Sequence, residues 1–332
     1  MEKNKLQRRT YTYIGLITGL ILSLIIFFTF VKQQPNTNNI QPIVNSSNYI
    51  GNADGSDWAG YTSGSLKIEI IKQSNDANHG TCAIVDARTN KYSANNLAIP
   101  NIVQINTNLY DVVRINAYAF SGVNNSLLIG TLTFPSALTE IQNYAFNECN
   151  KLIGDLIIPN SVTTIGDGAF SGCDGFNGSL IIPNSVTAIG ELAFANCAGF
   201  TGDLIIPNRL TKINESTFTR CSGFTGRLVI PSTVTAIASN AFSYAKKISR
   251  ITFTNSAYTI NTNAFYGLDK LSNIVFDGWN SLPGNKWVNN IFNGSKNRSG
   301  IVESINGSLA SSAILEYLTS HNNSDFQTWT AV

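Results

Sequence analysis

Thiols and imidazoles are the side chains of this chain best suited to nucleophilic or metal chemistry, and they are few: five cysteines and two histidines, His79 and His321. Cys149, Cys173, Cys197 and Cys221 recur every 24 residues, with Cys82 apart from them. Such a set could hold zinc or form disulfides, and one thiol beside a base could attack a carbonyl. The spacing opposes zinc, because metal sites take close pairs such as Cys-x-x-Cys and none is present. The same slot holds Val123, Ala245 and Leu268 in other copies of the pattern, so it suits a compact apolar group, which a free cysteine resembles. The expectation is a ladder of buried thiols, with disulfides between neighbouring copies as the competing arrangement. Cys82 has no evident mate.

A catalytic thiol wants an exposed, electropositive setting next to a base, and neither histidine belongs to a triad-like arrangement. Glycines 154, 178, 202 and 226 recur with the pattern as turn residues and do not form a phosphate loop. Asn52 to Asp57 offers oxygen ligands without the ordered spacing or closing Glu of an EF-hand, so it reads as linker. The chain is expected not to be an enzyme, and to need no cofactor and no metal.

The elements that position these residues are repeats. Pro135, Pro159, Pro183, Pro207 and Pro231 stand 24 residues apart. Isoleucines 115, 141, 165, 189, 213, 237 and 260 each precede, by five residues, one of Phe120, Phe146, Phe170, Phe194, Phe218, Phe242 and Phe265, which counts seven copies. The last step shortens to 23 by losing one loop residue between Ile248 and Ile251. A unit of this size buries its apolar side only against its neighbours. In each unit Leu-x-Ile before Pro reads as a short strand, with Leu156 and Ile158 on one face and Asp155 and Ile157 on the other. Proline lacks the donor a central strand needs, so it closes the strand. Stacking such units predicts a β-rich solenoid with a single parallel sheet.

The pattern Ile-Pro-x-Ser-Val-Thr-x-Ile-Gly-x-x-Ala-Phe-x-x-Cys at 158–173 and 182–197 resembles BspA-like leucine-rich-repeat surface proteins. The resemblance covers 97–276, with Leu97 to Ile115 similar to the family's lengthened opening repeat. Phe at 176, 200 and 224 stands where the family has Leu, and Ala245 and Leu268 stand where it has Cys. The resemblance implies a leucine-rich-repeat solenoid of about seven stacked 23–24-residue repeats. It also implies attachment to host matrix proteins or to other cells.

Location is read from the amino terminus. A basic segment, 1–9, precedes the uncharged run 10–31, whose 22 residues at about 1.5 Å each cover a hydrocarbon layer of roughly 30 Å. The basic flank keeps 1–9 in the cytoplasm and places the rest outside, anchored to the cell membrane; a cleaved signal peptide is the alternative. Residues 32–64 are polar and read as a flexible linker, 65–96 as an amino-terminal β cap, 97–276 as the array, and 277–332 as a carboxyl-terminal cap. The cap would have a strand near Ile301 and a helix capped by Ser311. Trp58, Trp279, Trp287 and Trp329 all lie outside the repeats and suit a plug over an exposed core.

Beyond Lys32, 17 basic residues face 19 acidic ones, and no basic cluster lies on the repeats, so nucleic acid is not an expected partner. The outward strand positions Thr133, Ile157, Ile181, Ile205, Val229 and Thr252 form an apolar stripe of roughly 25 Å, from strands about 4.8 Å apart. Asp155, Asp203 and Arg227 flank it. An apolar patch rimmed by polar groups marks a contact site, so this stripe is the candidate surface for an extracellular macromolecule, such as a host matrix or cell-surface protein. The same β-branched row could instead serve only to strengthen the sheet.

Overall fold

The computed structural model describes residues 40–41, 49–50, 66–74, 78–86, 96–105, 108–121, 129–254, 259–282, 291–294, 299–321 and 329–332. The basic segment 1–9, the run 10–31, Asn52 to Asp57, Trp58 and Trp287 lie outside them. No helix among the described residues is long and apolar enough to cross a membrane.

Successive copies stack as turns of a parallel β-solenoid. The Leu-x-Ile strands pair in register, Leu156–Ile157 with Leu180–Ile181 and Leu204–Ile205 with Leu228 and Val229. From Arg227–Ile230 the row continues through Arg250–Phe253 and Asn273–Asp277 to Ile301–Ile305 and Thr330–Ala331, all parallel. Ladder pairing is broken between Thr131–Thr133 and Leu156–Ile157, where only a bridge from Gly130 to Leu152 remains, and again between Leu180–Ile181 and Leu204–Ile205.

The expectation of a single sheet is corrected by a second row of strands. Glu140–Ile141, Thr164–Ile165 and Ala188–Ile189 form one parallel ladder, and Lys212–Ile213, Ala236–Ile237 and Thr259–Ile260 form another. Two residues per copy are too few for an alternating pattern to reveal. Within each ladder the threonines are tied twice to the copy below: the Thr163 N–H and hydroxyl both donate to the Thr139 carbonyl, at 2.9 and 3.2 Å. This second row extends into the amino-terminal region, where Asn108–Ile115 pairs with Gly80–Asp86, which pairs antiparallel with Leu66–Lys72. Two further strands, Ile40–Gln41 against Ile102 and Val103 and Tyr49–Ile50 against Leu66 and Lys67, fall within 32–64. The rest of 32–64 lies outside the described residues.

A third row is built from turns around each phenylalanine. In the copy ending at Cys149, the N–H groups of Tyr144, Phe146 and Glu148 donate to the carbonyls of Asp167, Ala169 and Ser171 in the next copy, at 2.7 to 2.8 Å. Alternate donors can all point along the stack because the residues two before and two after the ring are left-handed, as Leu192 (φ 57°), Asn196 (φ 60°), Ser216 (φ 55°) and Arg220 (φ 58°) show. A left-handed non-glycine residue costs about 1 kcal/mol, and the inter-copy hydrogen bonds offset it.

The core lies between these rows. Phe146, Phe170, Phe194, Phe218 and Phe242 stack face to face with centroids 5.2 to 5.5 Å apart and planes within 3°. A parallel column, Phe176, Phe200 and Phe224, continues at 5.5 and 5.8 Å. The first column runs one ring beyond the sequence reading, because Phe292 stacks on Phe265 at 5.1 Å. Past it, Ile301–Ile305 extends the first row, and the helix Ser311–His321 buries Ile314 and Leu318. Ser311 is not the cap expected of it. Its hydroxyl accepts from the Ser304 N–H at 2.9 Å and donates to the Val332 carbonyl at 2.6 Å, tying the helix to the strand Ile301–Ile305 and to the residue after Thr330–Ala331. Trp279 is buried edge-on against Phe276 at 4.7 Å, and Trp329 is buried as well.

Candidate functional site

The stripe is set by strand alternation. Leu156 and Ile158 point inward and are buried, while Ile157 between them is 55% exposed; Ile181 and Ile205, at the same place in the next two copies, are 47% and 51% exposed. Thr133 is exposed but pairs with Ala98 and belongs to a separate piece of sheet. Val229 and Thr252, in register with Ile205, are half-buried. One strand further the row reaches Val275, which is buried, and then Glu303. Glu303 accepts from Asn273 at 2.8 Å and meets Arg250 at 3.5 Å, a polar cluster at that end of the row. The apolar centre is therefore three isoleucines, spanning roughly 10 Å at ordinary strand spacing.

The flanking charges have partners within the stack. The Asp155 carboxylate accepts from the Ser179 N–H at 2.6 Å, and Asp203 accepts from the Arg227 N–H at 2.7 Å. Asp203 also holds the Arg227 guanidinium through Nε at 3.1 Å and Nη2 at 2.9 Å. The Arg227 N–H bond, then its side-chain bond and charge, hold the Asp203 carboxyl below the usual carboxylate range despite some burial. The same device recurs elsewhere in the turn, where Asn143 and Asp167 accept from the N–H groups of Asp167 and Glu191 at 2.9 and 2.8 Å. Asp155 and Asp203 thus clip copies together. Sequence spacing marks their positions but not the backbone donor that each one meets.

The repeat geometry is what a family comparison has to explain. A profile described as the BspA type leucine rich repeat region matches this chain in 6 copies, over residues 90–225 and 177–299. The chain belongs to the BspA-type leucine-rich-repeat family. Among solved structures, this BspA-type protein is similar to the T. pallidum leucine rich repeat protein at 22% identity and a TM-score of 0.44, over 57% of this chain and 82% of the other. It is also similar to a leucine-rich repeat protein from Bacteroides ovatus, at 20% identity and a TM-score of 0.32 over 74% and 76% of the two chains. A leucine rich cell surface protein from Faecalibacterium prausnitzii matches at 17% identity and a TM-score of 0.29, over 77% and 97%. No curated protein matches this sequence.

In this BspA-type array the thiols are structural groups. All five cysteines are free and buried. Cys173, Cys197 and Cys221 each donate to the carbonyl of a phenylalanine in the copy before, Phe146, Phe170 and Phe194, at 3.0 Å. Each of these thiols thus meets a backbone acceptor of the preceding copy. Burial pushes the Cys221 thiol up to about 12, and it raises Cys173 and Cys197 as well. His79 does meet a carboxylate, Asp111, at 3.1 Å. The thiol nearby in sequence, Cys82, is buried and pushed up to about 12, by burial first and the Asp111 charge second. Burial of this kind opposes the thiolate form that nucleophilic attack needs.

Proposed function

We propose that this chain is a membrane-anchored cell-surface protein that mediates adhesion or protein–protein interaction through its exposed repeat sheet. In this reading 10–31 crosses the membrane, the segment after it holds the array away from the surface, and the regions 65–96 and 277–332 cap the two ends of the core. The partner is an extracellular macromolecule, a host matrix or cell-surface protein. One observation carries the reading: Ile157, Ile181 and Ile205 stand about half exposed in successive copies, where the core asks nothing of them. Covering the exposed part of all three would contribute on the order of 3 kcal/mol, enough to anchor a contact.

The test presents the full-length chain in lipid vesicles to matrix-coated and cell-coated surfaces. Ile181→Asp with Ile205→Asp is expected to abolish attachment while leaving the circular dichroism spectrum and melting temperature unchanged. Attachment that survives the pair clears the stripe. A second reading, a structural surface coat, is favoured by the β-branched row itself, because such residues strengthen a sheet by neighbour packing. Failure of the wild-type chain to attach to any surface would favour the coat.

A further inference from the structure

Away from the stripe, in the turn row, a surface groove of about 490 Å³ is lined by Asn196, Ala198, Arg220, Ser222, Tyr244 and Lys246. Its construction follows from the repeat. Asn196, Arg220 and Tyr244 occupy the left-handed position two residues after the core phenylalanine in three successive copies, and their φ values of 58° to 61° direct these side chains to the surface. Ala198, Ser222 and Lys246 occupy the position after the thiol slot in the same copies. Where the earlier copies place an alanine and a serine, the third places a lysine.

Charge is unbalanced here. The Arg220 guanidinium and the Lys246 ammonium each lie 5.9 Å from the centroid of the Tyr244 ring, so one ring holds two cations together. Among the described residues neither cation takes part in an ion pair. In the next copy Asp269 takes the position of Lys246 and the exposed Lys270 follows it, its N–H donating to the Lys246 carbonyl at 3.0 Å, so the cations here outnumber the acid. Asp269, the acidic column-mate of Lys246 in the next copy, forms no ion pair with Arg220 or Lys246 among the described residues, and the column's other acid, Asp174, is one copy before Ala198. Two like charges gathered around one aromatic ring are relieved by an anion between them. The remaining lining is an amide, a hydroxyl and a ring, which suits a ligand rich in hydroxyl groups. The volume falls in the ordinary range of small-molecule sites, about 300 to 1,000 Å³.

We infer that this groove binds a carboxylate-bearing sugar, with Arg220 and Lys246 on the carboxylate and Asn196 and Ser222 on hydroxyl groups, beside the Tyr244 ring. This site is independent of the isoleucine stripe. The experiment titrates full-length protein in mild detergent with sialyllactose, with lactose, and with a short poly-glutamate peptide, by calorimetry. Sialyllactose should bind and lactose should not. Arg220→Gln and Lys246→Gln should each weaken binding by about tenfold or more, the value of one charge-assisted contact, and Tyr244→Phe should retain it. These side chains are exposed, so unchanged melting temperatures are expected. Lys246→Gln serves as the second probe should Arg220→Gln disturb its turn. The proposal is overturned by equal affinity for lactose, by poly-glutamate binding as tightly as the sugar, by variants that bind like wild type, or by no binding of sialyllactose at millimolar concentration. The stripe pair Ile181→Asp with Ile205→Asp should leave sugar binding unchanged, so failure here and failure of the adhesion reading are separable.

Discussion

Within a single turn of this solenoid two columns run side by side and obey different rules. The phenylalanine column repeats one residue without exception from Phe120 to Phe265, each ring fully buried on the one below. The outward column keeps isoleucine for three copies only and otherwise changes size and polarity, from Thr133 before them to Val229 and Thr252 after. Packing explains the first. A ring between two parallel rings at about 5.5 Å leaves no space for a different shape, and interiors close-packed to this degree penalise both gaps and excess volume. Nothing behind the outward column imposes a shape, so its residues answer to solvent or to a partner.

The sharpest way to break this contrast is inside. Phe194→Ala removes a ring that contacts Phe170 and Phe218 and should cost about 3–5 kcal/mol, read as a fall in urea midpoint. A smaller cost than that of an exposed substitution would deny that the column is the stabilising element. Next comes Gly199→Ala. A Cβ there would run into the carbonyl oxygens of Phe176 and Asp174 in the preceding copy, so the copies must separate locally, at about 1–3 kcal/mol as for other overpacked sites. Thermal denaturation measures it.

A smaller effect probes the clips between copies. Because the folded-state pKa of Asp203 is lowered, its contribution is fully present above the unfolded value of about 3.9 and is lost as pH falls through the folded value. Asp203→Asn keeps an acceptor for the Arg227 N–H but not the charge. The wild-type advantage over this variant should be visible at neutral pH and vanish in acid, and a constant difference across pH would show that the charge contributes nothing. Smallest of all in stability is the outward pair Ile181→Asp and Ile205→Asp, within about 0.5 kcal/mol of wild type as for ordinary surface changes, despite its expected loss of attachment.

How far the sequence could be read follows the same divide. The core was legible because period and burial coincide: the spacing of isoleucine and phenylalanine places Ile165, Phe170 and Cys173 inside, where they lie. The second strand row was not, because Thr164–Ile165 and its equivalents are two residues long and their strand character comes from hydrogen bonds to another copy. Phe292 was missed because it stands 27 residues after Phe265. Its own signal was present, since Phe292-Asn-Gly294 repeats the form of Phe265-Tyr-Gly267 and Gly294 is left-handed at φ 76°. The stripe's alternation was readable, whereas its interruption by the half-buried Val229 and the internal use of Asp155 and Asp203 depend on neighbours in adjacent copies. The groove residues Arg220, Tyr244 and Lys246 differ from their counterparts in other copies, and only stacking brings them to one place.

The three hydrogen-bonded rows of each turn all point along the stacking axis. A tug along the array is therefore divided among three seams where all three are paired, and falls mainly on the turn row between the copies of Ala188–Ile189 and Lys212–Ile213, where both strand ladders are interrupted. The same arrangement that lets copies be added one by one also makes the assembled stack a tension member.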